Sequence, residues 1–355
     1  MKFIHGGDIY TVKAQLHSDQ LLDFSANINP FGVPDSVQTA IRAAIPQLLH
    51  YPDPNQTTLT EALSAYHHVT PQQIICGNGG ADVLFRMVQA IRPKHAIIPV
   101  PTFSEYEKAL EENGCLVTYW NMPEPFVLTE SFLMELQTGH YDFLVLCNPN
   151  NPTGSLLSAS LLQKILTLTV QKKIFVLLDE CFCDMTEVAM QSSMIAACKE
   201  YPNLLILKSM TKKYAIPGLR LGYGICADTE LVKQIRQTGQ PWSVNTLAAT
   251  AGCAALQAIT YQQQFQQFLQ TERWFLYNAL QELGFITWKP SANFVFFRSR
   301  HFRDLDMQLL PYHILLRHCG NYRGLDDTYY RVAVRKREEN IFLLQCLKEI
   351  VQKKS

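Results

Sequence analysis

Short continuous apolar segments alternate with segments of helical periodicity over the first two thirds of this chain. The apolar segments predict five strands, at residues 95–100, 142–147, 173–179, 203–208 and 222–227. Helical spacing of apolar residues predicts helices at 81–92, 104–114 and 158–173. Because the strand segments are uninterrupted rather than alternating, they are typical of strands buried on both faces. The pattern therefore predicts an α/β fold with a mainly parallel sheet sandwiched by helices.

The pattern changes after about residue 258. A long helical segment at 261–284 ends on Gly284, and an amphipathic segment at 338–354 predicts a final helix. Between them, strand-like segments lie at 293–300, 312–318 and 329–336. We therefore expect an N-terminal segment over residues 1–30, a large domain over 31–258 and a smaller α+β domain over 259–355.

Composition and charge exclude several function classes. The 355 residues are 47% hydrophobic and 17% charged, which is typical of a globular protein. Basic and acidic residues both number 31, so no nucleic-acid partner is expected. The ten cysteines include no C-x-x-C pair or zinc-type cluster, which predicts reduced thiols and no metal site. We expect neither a signal peptide nor a membrane span, and hence a cytoplasmic protein.

The residues that follow the predicted strands carry the candidate chemistry, because ligands of open α/β sheets bind beyond the carboxyl ends of the strands. The relevant segments are "CGNGGAD" (76–82), "NPNNPTG" (148–154), "DECFCD" (179–184) and "SMTKKYAIPGLR" (209–220). They offer a glycine turn opening a helix, which favours phosphate, together with an amide, a carboxylate and a lysine pair. Each alone is also typical of ordinary turns and helix caps, so their coincidence is what predicts a site.

Together these motifs resemble those of fold-type I enzymes that depend on pyridoxal 5′-phosphate (PLP), the aspartate aminotransferase superfamily. The family shares N-P-x-G, D-x-x-[YF] and S-x-x-K followed by an arginine, matched here by residues 151–154, 179–182, 209–212 and 220. The resemblance implies that Lys212 forms a Schiff base with PLP and that Asp179 pairs with its pyridine nitrogen. It places Asn151 at the ring O3′ and Phe103 against the ring.

The same resemblance implies a phosphate site and a second subunit. The residues it assigns to the cofactor phosphate are Ser209, Arg220, Gly80, Ala81 and Tyr51. Tyr51 matches a tyrosine that reaches the phosphate from the neighbouring protomer, so a homodimer is expected.

Within the superfamily, the chain most closely resembles the threonine-phosphate decarboxylase family of cobalamin biosynthesis. The segments that carry this resemblance include residues 5–10, 21–34, 240–249 and 317–335. It implies decarboxylation of O-phospho-L-threonine to (R)-1-amino-2-propanol O-phosphate. Phe182 supports it, because the histidinol-phosphate aminotransferases, which are the alternative, carry tyrosine at that position. A preference for O-phospho-L-serine and a non-catalytic PLP-binding protein are further alternatives.

A substrate with two anionic ends needs two anchors. Arg331 stands where the superfamily binds the α-carboxylate of the substrate, and Arg317 matches a plausible ligand of the substrate phosphate. The resemblance places further substrate contacts at His5, Gly6, Asn27 and Asn151. His5 and Gly6 belong to the N-terminal segment that closes over the substrate in that family.

The second lysine of the pair, Lys213, lies outside these motifs. Because successive side chains of an extended segment alternate, Lys213 is expected to point away from Lys212. The sequence alone predicts that it is a bystander or a charge at the rim of the site.

Overall fold

The structure is a computed structural model that describes residues 6–188 and 192–354. The described residues form a seven-stranded sheet, a four-stranded sheet and a two-stranded sheet. The strands are β1 (Leu22–Asp23), β2 (Ile74–Gly77), β3 (His95–Val100), β4 (Leu116–Asn121), β5 (Phe143–Cys147), β6 (Phe175–Asp179), β7 (Leu204–Ser209), β8 (Gly222–Cys226), β9 (Ile286–Thr287), β10 (Phe294–Arg298), β11 (Ile314–Leu315), β12 (Arg317–His318) and β13 (Tyr329–Ala333).

The α-helices lie between these strands and at both ends of the chain. They are α1 (Ile9–Leu16), α2 (Asp35–Ala44), α3 (Thr57–His67), α4 (Gly80–Ile91), α5 (Glu105–Glu112), α6 (Ser131–Thr138), α7 (Ala159–Lys172), α8 (Thr229–Gln237), α9 (Thr246–Leu256), α10 (Ile259–Glu282), α11 (Leu305–Leu309) and α12 (Arg337–Lys354). Several of these helices are capped by a side chain at their N-terminus. For example, the Ser158 side chain accepts a hydrogen bond from the Leu161 N–H at the start of α7.

The central sheet has the strand order β2-β8-β7-β6-β5-β3-β4. Strand β8 runs antiparallel to both of its neighbours, and the other adjacent pairs are parallel. All residues of β2, β7 and β8 are buried, as continuous apolar segments predict. The carboxyl ends of β2, β3, β5, β6 and β7 therefore meet along one edge of the sheet, which is where the motif residues lie.

The predicted α/β fold with a mainly parallel sheet is confirmed. The five strands predicted in this part of the chain are β3 and β5 to β8, and the three predicted helices are α4, α5 and α7. Sequence analysis missed β4, which pairs with β3 at the sheet edge. Its end residues, Leu116 and Asn121, are exposed, and its four middle residues are only half-buried. Such a strand lacks the continuous apolar run that identified the others.

The C-terminal part contains the predicted mixture of helices and strands. An antiparallel sheet of order β12-β13-β10-β9 packs with α10 and α12 around a cluster that includes Phe294, Val332, Leu276 and Leu347. The predicted strand at 312–318 is instead two short strands, β11 and β12, and β11 pairs with the N-terminal β1. The domain boundaries proposed above stay predictions. None of the described helices combines the length and apolarity needed to cross a bilayer.

His67 at the end of α3 makes the fold sensitive to acid. Its Nε2 lies 2.7 Å from the Tyr223 hydroxyl of β8, and burial, followed by the Lys208 charge, lowers the pKa of His67 from 6.5 to about 4. Between pH 6.5 and about pH 4, His67 is protonated in the unfolded chain but stays neutral in the folded chain. The free energy of unfolding should therefore fall by about 2 kcal/mol between pH 7 and pH 5 from this group alone.

Urea unfolding of His67→Gln at both pH values tests this, because glutamine can still hydrogen-bond to Tyr223 but does not titrate. The variant should lose less stability than the wild type over this pH interval. Replacement of the exposed His50 by glutamine is the matched control and should leave the pH dependence unchanged. An unaltered pH dependence in His67→Gln would contradict the prediction.

Candidate active site

A cavity of about 570 Å³ opens at the carboxyl edge of the central sheet. Most of the predicted site residues line it, although they come from distant parts of the chain. They are Gly6, Asn27, Gly80, Ala81, Phe103, Asn151, Asp179, Ser209, Lys212, Arg220 and Arg331. The fold thus brings the predicted lysine, carboxylate, amide and phosphate-site residues into one space.

Lys212 lies in the turn that follows β7. Its Nζ is 3.1 Å from the Ser209 Oγ and 5.7 Å from the centre of the Phe182 ring. Asn29 holds the main chain of both lysines. Its N–H donates to the Lys212 carbonyl at 3.0 Å, and its Nδ2 donates to the Lys213 carbonyl at 2.9 Å. Sequence analysis chose Asn27 from the same "SANINP" segment and missed Asn29. An apolar ring and a hydroxyl thus face the amine on a fixed backbone.

Asp179 ends β6 and is held at both carboxylate oxygens. The Tyr106 hydroxyl donates to Oδ2 at 2.5 Å, and the Cys181 N–H donates to Oδ1 at 2.8 Å. Burial, followed by the Asp179 charge, raises the pKa of Tyr106 well above its ordinary value, so the phenol keeps its proton. Sequence analysis missed Tyr106, although it lies in the "PTFSEY" segment that supplied Phe103. The pair suits a carboxylate that must keep a fixed direction toward a cationic ring nitrogen.

The start of α4 forms an anion cradle with Arg220. Gly79 precedes α4 with φ +89°, and a Cβ at this position would lie 2.6 Å from the Arg220 Nη2. At Gly222, a Cβ would lie 2.3 Å from the Gly80 backbone nitrogen. Only glycine therefore allows the guanidinium and the first N–H groups of α4 to approach this closely. A helix N-terminus beside a guanidinium is a typical phosphate site.

Arg331 and Asn151 form the opposite wall of the cavity. The Arg331 Nη1 donates to the Asn151 Oδ1, and its Nη2 donates to the Ser25 carbonyl at 2.7 Å. Its Nε has no hydrogen-bond partner among the described residues, and no carboxylate of those residues forms an ion pair with it. Burial lowers the pKa of Arg331, yet an arginine stays charged in proteins. A buried cation without a counter-ion favours binding of an anion.

The N-terminal segment is fastened to this wall. The Gly7 N–H donates to the Ser25 Oγ at 2.8 Å, and Ser25 in turn donates to Asp23 at 2.6 Å. A Cβ at Gly6 would lie 2.2 Å from the Ser25 carbonyl oxygen, so the backbones of the two segments are in direct contact. Sequence analysis named Gly6 but missed Ser25 and Asp23. The structure therefore explains why glycines are needed in "HGG".

Two of the predicted site residues that the structure describes, Tyr51 and Arg317, do not line the cavity. Tyr51 is 80% exposed and stacks on Trp242, with ring centres 4.7 Å apart. Arg317 is buried, with its guanidinium 5.2 Å from the ring centre of Tyr322, which does line the cavity, and its Nη2 2.9 Å from the Asn321 Oδ1. His5 lies outside the described residues. Their assigned roles stay predictions.

The interpretation of Lys213 as a charge at the rim of the site is wrong, and its interpretation as a bystander stays a prediction. The residue does point away from Lys212, but only 7% of it is exposed. Its Nζ donates to the Gln262 Oε1 of α10 at 2.8 Å. The prediction assumed an extended backbone, whereas residues 211–215 form a turn, and helix α10 covers the side to which the Lys213 ammonium points.

The residues present fit PLP. A lysine amine, a carboxylate held by two donors and an anion cradle of N–H groups and arginine line one cavity. These are the groups that would hold its aldehyde, its ring nitrogen and its phosphate. Asn151 and Phe103 line the same cavity and suit the ring oxygen and the ring face.

Comparisons with known proteins agree with this geometry. A family profile described as aminotransferase class I and II matches residues 19–343. The threonine-phosphate decarboxylase of Salmonella typhimurium is 41% identical over 98% of this chain and 96% of that protein. An adenosylcobalamin biosynthesis bifunctional protein of Leptospira interrogans is 31% identical over 98% of this chain and 41% of its own length. The solved histidinol-phosphate aminotransferase of Clostridium acetobutylicum has a TM-score of 0.88 and 31% identity over 94% of this chain and 100% of that one.

Proposed function

This chain belongs to the class I and II aminotransferase family, and on that premise we propose that it is a PLP-dependent decarboxylase of O-phospho-L-threonine. The products would be CO₂ and (R)-1-amino-2-propanol O-phosphate, in cobalamin biosynthesis. One observation carries the proposal. Lys212, Asp179 and Arg331, whose Nε has no hydrogen-bond partner among the described residues, line the same cavity. The relatives named for threonine phosphate and for adenosylcobalamin biosynthesis support it.

The described residues suit distinct parts of this reaction. When bound, PLP would supply an aldehyde for an amine and an electron-withdrawing ring for the electron pair that departing CO₂ leaves behind. Asp179, held by Tyr106 and the Cys181 N–H, would keep the ring nitrogen protonated. The α4 N-terminus with Arg220 would bind the cofactor phosphate.

Substrate orientation would decide the reaction, because the bond at Cα that lies perpendicular to the ring is the one that breaks. Arg331 would hold the substrate carboxylate, since its Nε has no hydrogen-bond partner and no carboxylate of the described residues forms an ion pair with it. Lys212, whose Nζ lies beside the Ser209 Oγ, would return a proton to Cα after CO₂ departs. The alternative histidinol-phosphate aminotransferase activity would instead require the Cα–H bond to be held perpendicular.

Phe182 favours decarboxylation over transamination. Its ring lines the cavity and packs edge-on against Phe294, with ring centres 5.2 Å apart. A phenyl group cannot donate the hydrogen bond to the ring oxygen that a tyrosine at this position supplies in many aminotransferases. The higher identity to the Salmonella decarboxylase than to the Clostridium aminotransferase points the same way.

The experiment that tests the proposal measures CO₂ release from O-phospho-L-threonine by the PLP-loaded protein without any 2-oxo acid. Sustained stoichiometric release supports the decarboxylase. Conversion of the bound cofactor to its amine form with histidinol phosphate, and no CO₂ release, would establish the aminotransferase instead. Cofactor binding without either reaction would leave a non-catalytic binding protein.

O-Phospho-L-serine should be assayed side by side, because it lacks only the methyl group of the threonine substrate. A pocket distinguishes one methyl group by about 1–3 kcal/mol, which is roughly 10- to 200-fold in kcat/KM. A higher kcat/KM for the serine compound would replace the proposed substrate but keep the reaction class.

We also propose that the chain works as a homodimer whose Tyr51 contributes to the partner's site. Tyr51 and the neighbouring Trp242 are an exposed, stacked aromatic pair. Close to Tyr51 in the chain, Ile45, Leu48 and Leu49 are also more than half exposed, on a short 3₁₀ turn after α2. An exposed apolar surface of this kind typically marks an interface.

Mixing two variants tests the shared site. Lys212→Ala alone should be inactive, and Tyr51→Ala alone should bind PLP weakly, because it loses a phosphate contact. After unfolding and refolding together, mixed dimers should regain activity, since one of their two sites combines an intact Lys212 with an intact Tyr51 from the other protomer. Activity that never exceeds that of refolded Tyr51→Ala would contradict a shared site, and monomers in sedimentation would contradict the dimer.

A cytoplasmic location is part of the same proposal. All ten cysteines are free thiols, and most are buried. This state is typical of a reducing compartment, where disulfides are rare.

A further inference from the structure

Three residues that line the cavity each have a charged, buried chain neighbour that does not line it. The pairs are Asp179 with Glu180, Ser209 with Lys208 and Lys212 with Lys213. In strand β7 successive side chains point to opposite faces, which explains the direction of Lys208. The charged neighbours therefore gather away from the cavity, at the ends of the strands that carry its chemistry.

Lys208 forms ion pairs with both Glu180 and Asp184. The Lys208 Nζ is 2.5 Å from the Asp184 Oδ1 and 3.5 Å from the Glu180 Oε2. Glu180 is fully buried and accepts hydrogen bonds from the Ser193 hydroxyl and the Met194 N–H, each at 2.7 Å. The ends of β6 and β7 are thus tied together by an ion pair in addition to their backbone ladder.

Lys213 completes this group from the turn after β7. Its ammonium donates to the Gln262 Oε1 at 2.8 Å, and the Gln262 Nε2 donates to the Ala255 and Leu256 carbonyls at 3.3 and 3.4 Å. These carbonyls belong to the C-terminal turn of α9, where the helix dipole favours a cation. The ammonium also lies 5.3 Å from the centre of the Tyr214 ring.

The charges of the group balance. Burial alone would raise the pKa of Asp184, but Lys208 and then Lys213 lower it below its ordinary value. The group thus contains two cations, Lys208 and Lys213, and two carboxylates, Glu180 and the partly exposed Asp184. Other titratable groups also lie near. They are His67, which Lys213 helps to keep neutral, Tyr66, whose hydroxyl shares the Gln262 Oε1 at 3.3 Å, and Tyr214, Tyr223 and Cys183.

We propose that Lys213 is a positioning residue for Lys212, which it holds through the Lys213–Gln262 hydrogen bond and the buried charge group behind the cavity. This inference rests on the proposed role of Lys212 in binding PLP. Asn29 holds the carbonyls of both lysines, and the Lys213–Gln262 hydrogen bond ties the same turn to α10. Together these contacts keep the Lys212 backbone, and therefore the reach of its amine, in one position.

Three variants separate positioning from stability. Lys213→Met removes the charge at similar volume, and Gln262→Leu leaves a buried ammonium without this acceptor. In the double variant the ammonium and its acceptor are both replaced by apolar groups, so no buried ammonium is left without a partner. Gln262→Leu should therefore unfold at lower urea than the double variant. Lys164→Met, on the exposed face of α7, is the matched control and should resemble the wild type.

The cofactor band of lysine-bound PLP at about 420 nm supplies the spectroscopic readout. In Lys213→Met and in the double variant, the pH midpoint of this band should differ from that of the wild type, because the amine that forms the band is held in a different position. In both, kcat should fall about 10- to 100-fold with little change in KM, because a small misplacement of a reacting group has that effect.

The double variant decides the question. Stability near that of the wild type with an altered band midpoint and kcat supports positioning. A stable double variant with a wild-type midpoint and kcat would overturn it, since Lys213 would then be only structural. Wild-type protein that forms no band would overturn the proposed function and this inference together, and is thereby distinguished from a failure at Lys213 alone.

Discussion

Replacement of Lys212 by alanine is expected to abolish both catalysis and the absorption of lysine-bound PLP at about 420 nm. The Lys212 Nζ is the amine of the cavity, and it lies between the Ser209 hydroxyl and the Phe182 ring. In the proposed function Lys212 both bonds the cofactor and returns a proton, so its removal should lower kcat by about 10³–10⁴-fold or more. Absorption spectra and CO₂ release, measured on the same protein, check this.

Cofactor binding itself should survive in Lys212→Ala, because the phosphate cradle and Asp179 are untouched. Added PLP should therefore remain bound through dialysis more than in Arg220→Ala, but with the spectrum of the free aldehyde. A small primary amine added to Lys212→Ala should restore part of the activity, whereas a tertiary amine, which cannot form a Schiff base, should not. Retained absorption at about 420 nm together with retained turnover would overturn the assignment of Lys212.

The residues most readily predicted from the sequence were those beside regular elements. Asp179 and Ser209 end β6 and β7, whose uninterrupted apolar runs located the strand ends within one or two residues. Gly80 opens α4, and the glycine turn before it identified the cradle. In these cases a local pattern and the shared edge of a parallel sheet determine which residues come together.

The residues that were missed act across long sequence separations. Tyr106 reaches Asp179 over 73 residues, and Asn29 reaches Lys213 over 184 residues. No local periodicity encodes which partner such a side chain finds, because the partner is set by how the elements pack. Lys213 shows the same limit, because the sequence near it reveals neither the turn at residues 211–215 nor the covering of its ammonium by α10.

Asp179→Asn is expected to produce the second large loss of activity. The amide keeps the shape of the carboxylate and can still accept from the Cys181 N–H, but it carries no charge to hold a proton on the ring nitrogen. Loss of one preorganised electrostatic contact typically lowers kcat by about 10²–10³-fold. The variant should still form the band at about 420 nm, because Lys212 is intact. Measurement of kcat and of the absorption spectrum on the same protein, each as a function of pH, separates the loss of catalysis from any loss of lysine-bound PLP.

Tyr106→Phe shows whether that loss comes from the charge of Asp179 or from its direction. Phenylalanine leaves the charge in place but removes the hydroxyl that donates to Oδ2. A change in carboxylate direction alone should lower kcat about tenfold, since outer hydrogen-bond partners typically contribute 10- to 100-fold. The double variant with Asp179→Asn should then be about as slow as Asp179→Asn alone, because Tyr106 acts only through that carboxylate. If the fold losses in kcat of the two single variants multiplied in the double variant, Tyr106 would contribute independently of Asp179. The two residues would then have separate roles.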